Sequence, residues 1–157
     1  MRESCQNLIE AHVSTLVFDT TGNTVLLLKR SKHRQLYKGL WESTGGQVLH
    51  GETFLQAAKR IAQDEIGVEI LVKNILGTYF IPAKDDSARN RTIPGVRFYG
   101  IINKINMDRI FIGEQHSSFS FVDKKDLDSY ALIPTLDEDI KFGFRMFNNI
   151  HHETLLR

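Results

Sequence analysis

One cysteine, Cys5, and three prolines are all that the 157 residues hold of the types that most constrain a chain. A lone cysteine excludes a disulfide framework and a thiolate metal cluster. No apolar run could span a bilayer, and the opening MRESCQNLIE lacks the apolar core of a signal peptide. A strong charge of one sign is missing too. The formal net charge is +1, so no general attraction to nucleic acid or to a membrane follows. Neither DNA nor a membrane is expected as a partner, and the setting these absences imply is cytoplasmic. What remains is ordinary for a globular protein, 41% hydrophobic and 25% charged, at a length that suits one domain with its own core.

Val13 to Phe18 and Thr24 to Leu28 are β-rich runs, and the Asp19 to Asn23 turn between them predicts a hairpin. Further strands are expected at Val68 to Val72, Ile75 to Ile81 and Gly95 to Ile102, with a weaker one at Phe119 to Val122. Pro82 to Pro94 is a long polar connection. An amphipathic helix should start near Glu52-Thr53, with Thr53 as its N-cap, and stop at Gly67. On that helix Leu55, Ala58, Ala62 and Ile66 share the face expected to meet a sheet. Asp123 to Tyr130 suggests a short helix. Leu136, Ile140, Phe144 and Phe147 recur at helical spacing and predict a last helix at about 136–150. The pattern is α+β.

The chemistry gathers in Gly45 to Val68, GGQVLHGETFLQAAKRIAQDEIGV. Adjacent Asp64 and Glu65 at a helix C-terminus repel each other and the helix dipole. A divalent cation would relieve that repulsion, and Mg²⁺ takes a few carboxylates together with water and phosphate oxygens. A Gly-Gly turn opposite lets the backbone come close to the ion and to phosphates. Arg30 and Arg97, with the basic residues around them, are candidates to meet substrate phosphates.

The spacing resembles the Nudix hydrolase box, G-x5-E-x7-R-E-U-x-E-E-x-G-U, where U is bulky and apolar. Gly46, Glu52, Arg60, Glu65, Gly67 and Val68 match it, and Asp64 replaces its next-to-last Glu. Leu40 to Gly46 looks like the family's lead-in, with Thr44 in place of Pro, and Val13 to Pro134 can be laid on the family pattern. The resemblance implies one Nudix-like domain over 1–157, with its box at 46–68 and an α/β/α sandwich around a mixed sheet. It implies Mg²⁺ or Mn²⁺ held by Gly45, Asp64 and Glu65, and a loop braced by Glu52 and Arg60. The implied substrate is a small nucleoside diphosphate derivative, cleaved at its pyrophosphate bond; a homodimer is a known family arrangement.

Two departures qualify the match. Ile61 stands where the pattern places the Glu after Arg, which binds metal and in some members serves as base. Leu49 replaces an acid common in the loop. Glu114, with His116 beside it, lies in a late loop of the kind from which some members draw a base. Glu65, Asp64 and Glu114 are therefore the catalytic candidates. The alternative is a Nudix-fold module that binds a nucleotide or a partner without hydrolysis. An isoprenoid diphosphate isomerase ranks last, because Cys5 is poorly placed for its chemistry.

Overall fold

The computed structural model describes residues 10–83 and 91–155. Cys5, Arg89 and most of the polar connection before Pro94 lie outside them. A mixed sheet of seven strands runs through the centre. Its strands are β1 (His12–Asp19), β2 (Thr24–Arg30), β3 (Trp41–Glu42), β4 (Thr44–Gln47), β5 (Leu71–Ile81), β6 (Ile93–Ile102) and β7 (His116–Asp123). The helices are α1 (Phe54–Ile66), the single turn α2 (Lys104–Met107) and α3 (Leu136–Leu155), with a 3₁₀ segment at Lys124–Ser129.

Strand β1 organises the sheet. It runs parallel to β6 along its whole length, from His12 opposite Gly95 to Asp19 opposite Ile102. On its other side the neighbour changes. β2 pairs with β1 at Phe18 and Val25, whereas residues 12–15 pair with β4 instead. β2 goes on to pair with β3 and β7. The expected hairpin is therefore present but splits open, and β4 fills the gap. No local pattern marks β3 and β4, which are short and exist only through these distant partners. The two strands expected at Val68 to Val72 and Ile75 to Ile81 are one, β5, whose register against β6 shifts between Val72 and Ile75 and again between Ile75 and Gly77.

Alternation along the strands makes two cores. Val13, Val17, Leu26, Leu28 and Phe98 join the buried face of α1, while Leu16, Phe18, Val25, Leu27 and Tyr99 join α3. The sheet thus lies between α1 and α3, the mixed α+β sandwich expected. Leu136, Ile140, Phe144 and Phe147 are buried along α3. In α1 the buried stripe is Ala57, Ala58, Ile61, Ala62 and Ile66. Leu55, expected in it, is 42% exposed; it points the right way by angle but lies in the first turn, outside the core cluster, and angle alone does not say where the covering sheet ends. Thr53 caps α1 in a reciprocal box with Gln56, and Gly67, at φ 71°, ends it in the left-handed conformation. Thr53→Ala is expected to lower stability by about 1 kcal/mol, or roughly 2–4 °C in melting temperature, read by thermal denaturation. An unchanged midpoint would mean the cap contributes nothing.

Candidate functional site

The loop between β4 and α1 is fixed by one arginine. Arg60 on α1 donates from Nε to Glu52 Oε1 at 2.5 Å and from Nη2 to Glu52 Oε2 at 2.9 Å, and Nη2 also reaches the Gln47 carbonyl at 3.0 Å. Glu52 in turn accepts from the Leu49 N–H at 2.9 Å. These hydrogen bonds from Arg60 and Leu49 hold the Glu52 carboxyl down at about 2. Asp64 also meets Arg60: its Oδ2 lies 3.4 Å from Arg60 Nη1, and its side chain is 63% exposed.

Glu65 turns the other way. Its Oε2 accepts the Gly45 N–H at 3.0 Å, which ties the last turn of α1 to the glycine turn. The residue is partly exposed, yet its carboxyl sits deep. Burial is the main reason that its pKa is pushed up to about 8, and the charge of Glu42 adds to it. Between these neighbours lies Ile61, buried, with Cδ1 3.1 Å from where a Cβ on Gly46 would stand. An apolar side chain therefore occupies the floor under the turn.

Glu42, which the sequence did not single out, is the hub of the opposite wall. Arg30 Nη1 donates to its Oε2 at 2.5 Å, and His116 Nε2 lies 2.9 Å from its Oε1, so Nε2 carries the proton. Burial alone would raise the Glu42 pKa; the His116 hydrogen bond and the Arg30 charge outweigh it and hold the carboxylate low. Arg30 is fixed again by Nε donating to the Leu36 carbonyl at 2.9 Å. A Glu beside Trp41, in a segment otherwise free of charge, was the one available signal.

Between the glycine turn and this wall opens a cavity of about 380 Å³, lined among others by Gly45, Glu42, Arg30, Arg34, Arg97 and Tyr79. Arg97 comes from β6. Its Nε pairs with Asp139 Oδ2 on α3 at 3.0 Å, and its guanidinium lies 4.5 Å from the Tyr79 ring centroid. Burial lowers the Arg97 pKa and the Asp139 charge opposes that. Burial also pushes the Tyr79 hydroxyl up to about 12. The Tyr79 hydroxyl bonds His12 Nδ1 on β1.

The expected residues thus fall into three places. Gly45, Arg30 and Arg97 line the cavity, and Glu65 lies behind the Gly45 backbone. Gly46, Glu52, Arg60 and Gly67 belong to the frame of the loop and helix, and Asp64 stands on its outer side. Glu114 has an exposed side chain, while its carbonyl accepts from Ser31 Oγ at 2.6 Å. His116 is buried at 4% exposure rather than on a loop surface.

The NUDIX domain matches residues 9–140, and the chain belongs to this family. It is 28% identical over 114 residues to the nucleoside triphosphatase NudI of Escherichia coli O139:H28, an overlap of 68% of this chain and 78% of that protein. In fold it is similar to the MutT protein of Methanosarcina mazei Go1, with a TM-score of 0.71 at 20% identity, covering 91% of this chain and 98% of that one. The Caenorhabditis elegans Ap4A hydrolase binary complex gives a TM-score of 0.70 at 17% identity, over 90% of this chain and 98% of that one. Among the described residues no helix is long and apolar enough to cross a membrane.

The family uses a divalent metal, and the donors here fit a sparse site. No three His, Cys, Asp or Glu side chains among the described residues form a metal-holding group. The Glu65 carboxyl stands against the backbone of the glycine turn, 3.0 Å from the Gly45 N–H, whereas both oxygens of Glu42 are already engaged by Arg30 and His116. Oxygen donors of this number suit Mg²⁺, which keeps several waters and is completed by substrate phosphates rather than by an all-protein cage.

Proposed function

We propose that the chain hydrolyses the pyrophosphate bond of a nucleoside diphosphate derivative with the help of Mg²⁺ or Mn²⁺. The observation that carries this reading is the Glu65 carboxyl bound to the Gly45 N–H beside a cavity walled by three guanidinium groups. Glu65, the Gly45 carbonyl and Asp64 would hold the ion, which supplies charge neutralisation at phosphate oxygens. Asp64 is released easily for this, because an exposed pair such as its contact with Arg60 contributes little.

The chain's own residues do the rest. Arg60 and Glu52 keep the loop in one conformation, so that the Gly45 backbone meets the ligand without rearranging. Glu42 locks Arg30 against the cavity wall. Glu114, on the loop before β7, is the side chain proposed to take the proton of the attacking water. Glu114→Gln is then expected to lower kcat about 10²-fold with little change in KM, and an unchanged kcat removes Glu114 from the mechanism.

The test of the whole reading is release of phosphate or nucleotide from a panel of nucleoside diphosphate derivatives, with Mg²⁺ or Mn²⁺ and an EDTA control. Similarity to a protein named as a nucleoside triphosphatase is the reason to test nucleoside triphosphates first. A second reading, a module that binds nucleotide without cleaving it, is favoured by the burial of Ile61 where the family has an acid. Ligand-dependent thermal stabilisation with no turnover across the panel would select it.

A further inference from the structure

Arg34 differs from the other two guanidiniums at the cavity. Arg30 is committed to Glu42 and Arg97 to Asp139, each at ion-pair distance. Both bring a positive charge already offset. Among the described residues Arg34 has no carboxylate at such a distance. Its Nη1 donates instead to the side-chain Oε1 of Gln115, a neutral acceptor.

This contact is part of a built clasp between two loops. Ser31 N donates to the Gln115 carbonyl at 3.0 Å, Ser31 Oγ to the Glu114 carbonyl at 2.6 Å, and Arg34 N to the Ser31 carbonyl at 3.1 Å. The loop after β2 is thereby fastened to the loop before β7, and the Arg34 side chain is half-buried at the cavity. An amide holds a guanidinium in place while leaving its charge intact; a carboxylate would hold it and cancel that charge. Arg carries five N–H donors in a planar fork matched to phosphate oxygens, and the clasp engages one nitrogen of the fork.

We propose that Arg34 is the phosphate-gripping cation of this cavity, taking the terminal phosphate of a phosphoanhydride ligand, and that Gln115 is the positioning residue that aims it without neutralising it. The proposal rests on reading the cavity as a pyrophosphate site. It shifts the main attraction for phosphate from Arg30 and Arg97, whose charges are balanced, to a residue outside the box and outside the strands.

The experiment is calorimetric titration of inorganic pyrophosphate into the full chain in EDTA, at low and at moderate salt. Arg34→Gln and Gln115→Glu are each expected to weaken binding about tenfold or more and to flatten its salt dependence. Gln115→Glu is the decisive variant, since it keeps the arginine and changes only the charge of its partner. Arg34→Lys, which keeps a charge but loses the fork, should retain part of the affinity. Binding by Gln115→Glu equal to wild type, or no binding of pyrophosphate by wild type, overturns the proposal. Turnover is measured separately. A wild type that binds pyrophosphate through Arg34 but hydrolyses nothing ends the hydrolase reading and leaves this one standing. Turnover with KM unmoved in both Arg34→Gln and Gln115→Glu does the reverse.

Discussion

Glu65→Gln is expected to melt roughly 5–10 °C above the wild type at pH 9 in EDTA, and close to it at pH 5. The sign follows from where the proton is held. The Glu65 carboxyl is raised from 4.5 to about 8 in the folded chain. The stability linked to that proton is fully present below the unfolded value of 4.5. It is lost as pH rises through about 8, because the unfolded chain has released its proton and the folded chain must release it at a cost. A tenfold change in proton affinity corresponds to about 1.4 kcal/mol, so the rise from 4.5 to about 8 sets a ceiling of about 5 kcal/mol. Gln keeps an oxygen to accept the Gly45 N–H and carries no charge, so its profile should be flat over this window. Parallel melting profiles for the two proteins would mean that the Glu65 carboxyl is not held neutral by its surroundings.

The same substitution separates stability from function. A carboxylate must lose its proton before it can hold a metal, so added Mg²⁺ should restore the wild type at pH 9 and leave Glu65→Gln unmoved. Turnover should fall at least about 10²-fold. A variant that is more stable and less active is the expected signature of a charge kept buried for use, the trade between stability and activity seen at strained sites.

What the sequence revealed was local. Thr53 and Gly67 bracket α1 because caps act within a few residues, and Glu52 meets Arg60 because eight positions carry the chain across one turn into one helix. Glu42 was illegible for the opposite reason. Its partners Arg30 and His116 come from strands β2 and β7, and it takes two ladders, β3 on β2 and β7 on β2 with Arg30 opposite His116, to bring the three together. The Arg97 to Asp139 pair likewise joins β6 to α3, and no spacing rule links them. Leu55 and Ile61 show a finer limit. Helical angle set Leu55 on the face expected to meet the sheet and left Ile61 off it, yet Ile61 is buried and Leu55 is exposed, because which of them is covered depends on where the sheet lies under the helix. Strand periodicity in β5 was broken by its register shifts, so one long strand read as two.

Ile61→Glu asks whether an acid can still be accommodated at this position or whether the core has claimed it. The side chain is 5% exposed and belongs to the cluster that contains Val13, Ala57, Ala58 and Ala62. Placing a carboxyl there strips it of water without offering a partner, and the expected cost in EDTA is about 3 kcal/mol, or roughly 6–12 °C in melting temperature. Ile61→Gln, similar in shape and unable to ionise, should cost nearly as much. The two variants part on adding Mg²⁺. If the turn can open enough for residue 61 to turn toward Glu65, the Glu variant regains most of its loss, the Gln variant does not, and turnover rises above wild type. If neither recovers, the glycine turn has closed around the isoleucine: the Cβ space above Gly46 is already taken up by Ile61 Cδ1 at 3.1 Å. Position 61 would then belong to the core, and whatever chemistry the cavity performs would rest on Glu65, Glu42 and the arginines around them.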